Sequence, residues 1–249
     1  MKHASPAIHP RSVAQVLAAA ALFLLCASFA GQTMRFVFDR DSVFGLVQLF
    51  DVDLERNIPT FFTVLLALGN ALLLLLVGLG SRSRAPHETP YWYVLAAGFL
   101  FIGYDEGFQV HEKMIKPMQG LLGPDVPGIF HFGWVVPGII GVCLVGVFFV
   151  RFLLRLAPVM RRRLLTAAAL YLGGCLGMEM LDGAYATVYG MGYFYSFLVT
   201  FEEGLEMAGM VMLTYTLLSF LAEQQVEIAF IDGPQAQPQL AQEPQIVTS

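Results

Sequence analysis

Long apolar stretches alternate with short polar ones along this chain. The stretches run Val13–Ala30, Ile58–Leu79, Tyr91 to Val110, Phe132–Val150, Leu164–Leu181 and Phe194–Leu221. Each is close to the ~20 residues a helix needs to cross a hydrocarbon core. The pattern predicts an all-α fold, a polytopic integral membrane helix bundle of about six transmembrane helices. Pro59 opens the second stretch, where its missing N–H is not needed. Tyr91, Trp92 and Tyr93 form an interfacial belt at the start of the third.

Residues 1–222 are expected to form one transmembrane domain. Residues 223–249 hold no Lys or Arg and are rich in Gln, Pro and Ala, the composition of a disordered cytoplasmic tail. The loop from Gly31 to Asn57 is mixed in charge, and its apolar pieces Phe36-Val37-Phe38 and Phe44-Gly45-Leu46-Val47 are expected to lie on the membrane surface. The first stretch also has the marks of a signal peptide. Lys2 and Arg11 precede it, and Ser28 and Ala30 would suit signal peptidase. Its length exceeds the usual apolar region of such peptides and favours an uncleaved span.

Composition agrees with the pattern. The 249 residues are 57% hydrophobic and 13% charged, where a soluble domain carries about 25% charge. Mean hydropathy is +0.66. The net charge of −5 is segregated by side and names no partner. Basic runs interleaved with aromatics are absent, so nucleic acid is excluded as a partner. Cys26, Cys143 and Cys175 fall inside apolar runs, so no disulfide is expected. With the N-terminus inside, Lys2, Arg11, Arg82, Arg84, Arg151, Arg155 and Arg161 to Arg163 fall on the inner side. Arg35, Arg40, Arg56, Lys113 and Lys116 fall outside. This inward excess predicts a multi-pass protein of a bacterial inner membrane with both termini in the cytoplasm.

Candidate chemistry comes from acids inside the spans. Helical rise places Asp105 and Glu106 roughly 21–23 Å above Tyr91, Glu179 roughly 22 Å above Leu164, and Glu206 roughly 22 Å above Leu221. Three helices thus bring carboxylates to one depth, with no Lys or Arg inside the spans to neutralise them. A charge at the centre of a span costs on the order of 2.5–3.5 kcal/mol even on the mildest scale. Above this layer lie His111 and Glu112, His131, Asp182, and Glu202 with Glu203. Residues three or four apart share a helix face, so Glu202 aligns with Glu206, and Glu179 with Asp182. Asp105, Gln109 and Glu112 align likewise. His111 is turned away from Asp105 on an ideal helix and joins it only if the helix end unwinds. Gly173 and Gly177 form a GxxxG spacing expected to let helices approach closely.

Acids without basic partners need a metal ion or a proton. Asp105, Glu106, His111, Glu112, His131, Glu179, Asp182, Glu202, Glu203 and Glu206 are therefore candidate ligands of a divalent metal, with iron, zinc or manganese as the ions such donors suit. The Glu-x-x-His spacing of soluble di-metal bundles is missing; Glu106 is followed by His111 instead. Met178, Met180, Met207, Met210 and Met212 flank the acids, and gap-filling explains them best. The leading expectation is a membrane metalloenzyme with an outward-opening site that acts on a lipid or other apolar substrate. The alternatives are a proton- or cation-coupled carrier and a non-catalytic subunit or assembly factor of a membrane complex. Besides the lipid bilayer, the expected partner is a lipid substrate or another membrane protein.

Overall fold

In a computed structural model, residues 9–123 and 125–224 are described, and among them all regular structure is helical. The expected tail lies outside these residues. Helix α1 spans Pro10–Phe38, α2 Leu46–Phe50, α3 Ile58–Arg84, α4 Thr89–Phe108 and α5 Val110–Leu122. A 3₁₀ turn at Gly128–Phe130 leads to α6, Val135–Arg155. Helix α7, Pro158–Leu172, passes through a π-helical turn at Gly173–Met178 into α8, Glu179–Tyr189; α9 is Tyr193–Glu223.

Five helical runs are long and apolar enough to cross a membrane: α1, α3, α6, the continuous Pro158–Tyr189 segment and α9. The protein is an all-α membrane bundle. Each run continues past the C-terminal end of its apolar stretch, although α6 begins three residues after the expected Phe132. The expected third span is the exception. It forms α4, a 20-residue helix, but falls short of the apolarity of the other five. Tyr91, Trp92 and Tyr93 dilute one end, and Asp105 with Glu106 dilutes the other. Helix α4 nonetheless lies along α3 in the most extensive helix pair of the bundle.

Local chemistry sets the helix ends. Asn57 caps α3 by accepting from the Thr60 N–H at 3.1 Å, while its own amide donates to Asp51 O at 2.5 Å. One side chain thus starts α3 and folds the preceding loop back over the helix end. Ser28 on α1 anchors the same loop, its Oγ accepting from Val52 N at 3.1 Å. Phe36 to Phe38 belong to α1; of the second apolar piece, Phe44 is fully exposed and Val47 is buried.

The apolar core is concentrated in one half of the bundle. There Leu74, Trp92, Phe149, Phe152, Met160 and Leu217 draw α3, α4, α6, α7 and α9 together. A smaller cluster at mid-height joins Leu66 and Ala67 to Met210 and Val211. Asn70 ties α3 to α9 beside it, donating to Met210 O at 3.1 Å and accepting from Thr214 Oγ1 at 2.9 Å. Close approach of α7 to α9 depends on Gly209, where a Cβ would come within 2.6 Å of Tyr171 N. The GxxxG expectation is corrected here. Gly173 and Gly177 have no neighbour within 4 Å of a Cβ, and the close contact falls on Gly174 between them. The π turn shifts the register, so spacing on an ideal helix picks the wrong glycine. Cys26 and Cys143 are exposed on their helices rather than buried in the bundle, because the outward faces of such helices are as apolar as the inward ones.

Candidate functional site

The end of the bundle opposite the main core gathers the end of α1, the start of α3, the end of α4, α8 and the start of α9. The acids singled out in the sequence lie there. Helix α4 stops because Gln109 takes a left-handed conformation, φ 56°, ψ 47°. The break turns the chain so that His111 folds back on Asp105. His111 Nδ1 lies 3.1 Å from Asp105 Oδ2, and the His111 backbone N–H donates to Asp105 Oδ1 at 2.8 Å. The alignment of Asp105, Gln109 and Glu112 on one face is lost in the same turn, leaving Glu112 exposed. Burial works against a charge on the ring, but the hydrogen bond and charge of Asp105 outweigh it and hold His111 above its ordinary value.

From His111 the contacts pass to α8. The imidazole packs against the Trp134 ring at 5.1 Å, and Trp134 Nε1 donates to Glu179 Oε1 at 2.8 Å. Glu179 directly follows the π turn, a feature that often re-aims side chains at functional sites. Gly174 within that turn allows α9 to come close. A Cβ there would sit 2.8 Å from Glu202 O and 2.7 Å from Glu206 Cγ. The Glu202 carboxyl consequently reaches both Asp182 and Glu179.

Asp182 is the least exposed acid of this group, at 1%, and both its oxygens lack a donor. Ionised carboxylates only accept hydrogen bonds. Asp182 and Glu202 therefore hold together only with a proton or a cation between them. Glu206 is buried one turn further along α9, within electrostatic reach of Glu106, Glu179, Asp105 and Glu55. Glu203 is half-buried and faces Glu206 and Glu106.

The sequence reading missed the loop before α3. Asp51 is buried at 2% exposure, 4.0 Å from Arg35. Glu55 turns one carboxylate oxygen into the protein without a partner. Burial pushes its carboxyl up to about 7, the Glu112 carboxylate adding to the rise and His111 opposing it. The alternation Asp51, Asp53, Glu55 just ahead of the Asn57 cap was the available signal, read only as mixed loop charge.

His131 sits apart from the carboxylates. Its ring packs edge-on against Phe132, its carbonyl accepts from Gln119 Nε2 at 2.7 Å, and Gly183 fits beneath its Cβ. With Lys116, Gln119 and Thr187 it lines a cleft of about 590 Å³. Among the described residues, no three His, Cys, Asp or Glu side chains are grouped so as to hold one metal ion. Of the ten expected ligands, five form local contacts, Asp105 with His111 and Glu202 with Asp182 and Glu179, and the described residues share no centre.

No curated protein and no solved structure shows detectable similarity to this chain. A family model described as a domain of unknown function, DUF8692, matches residues 11–220, which include both the bundle and its acidic end. The chain belongs to the DUF8692 family.

Proposed function

We propose that the protein is a membrane enzyme whose acidic end takes up a divalent metal ion and acts on a lipid or other apolar substrate. The observation that carries this reading is Asp182, buried with both oxygens lacking a donor and facing Glu202. Buried charges are ordinarily paired or bound to metal. Glu179, Asp182, Glu202 and Glu206 are the proposed oxygen donors and His111 the proposed nitrogen donor, drawn to one centre when the ion binds. Such an ion, when bound, supplies Lewis acidity and an activated water. Trp134 orients Glu179, and Asp105 orients His111. The cleft beside His131 is the proposed entrance for a substrate headgroup.

Elemental analysis of the detergent-purified protein tests this, with Glu179→Gln and Glu206→Gln alongside. Near-stoichiometric iron, zinc or manganese that falls in both variants is expected. Folded protein that neither retains nor takes up any of these ions contradicts the reading.

One observation favours a second reading, a proton-coupled carrier. A carboxyl facing a carboxylate is a natural proton site, as Asp182 and Glu202 are arranged. Its weakness lies below the acids, where the buried polar side chains, such as the Asn70 and Thr214 pair, are neutral. Proton-driven cation uptake into proteoliposomes that disappears in Glu206→Gln would favour the carrier over the enzyme.

A further inference from the structure

The opposite end of the bundle holds a second cavity, of about 220 Å³, between the last turn of α3, the α6–α7 hinge and the end of α9. Its floor is apolar, with Val77, Leu156 and Met160 all buried. Two guanidiniums, those of Arg84 and Arg155, stand on its lining, against a single acid, Glu88. Arg84 is held in place, its Nη1 donating to Gln224 O at 2.9 Å and Gln224 Oε1 at 2.8 Å. Arg155 has no acidic partner among the described residues. The nearby arginines are engaged elsewhere, Arg82 over the Tyr93 ring and Arg163 with Glu223 and Tyr215.

A cavity with cations at the rim and hydrocarbon beneath suits an amphiphile with an anionic head. Guanidinium groups bind phosphate oxygens with matched geometry, and basic pockets between membrane helices take anionic lipid heads. A free phosphate would use the arginines and leave the apolar floor without a role. We infer that this cavity binds the phosphate of an anionic phospholipid between Arg84 and Arg155, with the start of an acyl chain on the floor beneath. The site is separate from the acidic end and does not depend on the function proposed for it.

Native mass spectrometry of the full chain in detergent, titrated with phosphatidylglycerol, phosphatidylcholine or inorganic phosphate, tests the inference. One retained phosphatidylglycerol is expected, weakened on the order of tenfold in the Arg84→Ala/Arg155→Ala variant. The Arg161→Ala/Arg162→Ala variant, which changes the same end outside the cavity, is expected to retain it. Equal weakening in both variants would overturn the site in favour of a general basic field. So would equal retention of phosphatidylcholine, or displacement of the lipid by inorganic phosphate at equal concentration. A photoactivatable phosphatidylglycerol on the wild-type protein gives an answer that needs no variant to fold. Its cross-links are expected at Met160 and Phe220–Leu221, and cross-links confined to other helices would refute the assignment.

Discussion

The two ends of this bundle solve the burial of polar groups in opposite ways. At the basic end the charged side chains stay on the rim, and the interior between them is hydrocarbon and aromatic ring. Its buried groups without partners are neutral: Thr89 Oγ1, Trp92 Nε1 and the Tyr93 hydroxyl. At the acidic end the charged groups themselves are inside. Asp182, Glu202 and Glu206 are each less than a tenth exposed, and α8 and α9, which carry them, hold no Lys or Arg. The cost of an unpaired buried carboxylate far exceeds that of a lost neutral hydrogen bond. The basic end is built for stability, whereas the acidic end accepts instability that a bound cation or proton would relieve.

The largest expected effect comes from neutralising the acidic end. In Asp182→Asn, stabilisation by added zinc or manganese should vanish, while the metal-free protein melts at the same or a higher temperature than wild type. Repulsion is removed together with the binding charge. Thermal melts with and without metal measure both, and a marked loss of metal-free stability would show that Asp182 is a structural group. Next is Gly174→Ala. Its Cβ would press on Glu202 O and Glu206 Cγ, and overpacking of this kind costs about 1–3 kcal/mol. Denaturant melts should show that loss together with weaker metal binding, because the π turn and α9 are forced apart.

A smaller effect is expected at mid-height. Asn70→Ala removes the clamp from α3 to α9, and interhelical hydrogen bonds in membranes contribute about 0.6–2 kcal/mol. Stability should fall by that amount with metal content unchanged; a change in metal content would mean that the two halves are coupled. A further effect concerns pH. Glu55 faces Glu112, His111 and Asp105, and its carboxyl rises from the ordinary 4.5 to about 7. In that window the native protein holds a proton that the unfolded chain has lost. Its contribution to stability is therefore full below about pH 4.5 and is lost as pH rises through about 7. Glu55→Gln should flatten the fall in melting temperature across this window, and an unchanged slope would assign the titration to other groups.

The same two ends differ in how much the sequence revealed. Apolar stretches located the long helices, because a span must satisfy its own backbone, but not the short α2 and α5. The shared level of Asp105, Glu179 and Glu206 followed from helical rise and the span ends. Helical spacing failed where the helix is irregular. It turned His111 away from Asp105, and only the left-handed Gln109 brings them together. It chose Gly173 and Gly177, whereas the π turn puts Gly174 in the contact. Trp134 was invisible because it acts through partners distant in sequence, which spacing along one helix cannot register, and the acidic alternation that includes Glu55 was read only as loop charge.

The most direct test of the acidic end as a cation site uses Trp134, which donates to Glu179 and packs against His111. Indole fluorescence of the purified protein, titrated with manganese or zinc, should change saturably at one equivalent. The change should be lost both in Trp134→Phe, which assigns the signal, and in Glu202→Gln, which removes a proposed ligand. A signal that never saturates, or one that persists unaltered in folded Glu202→Gln, would contradict the account.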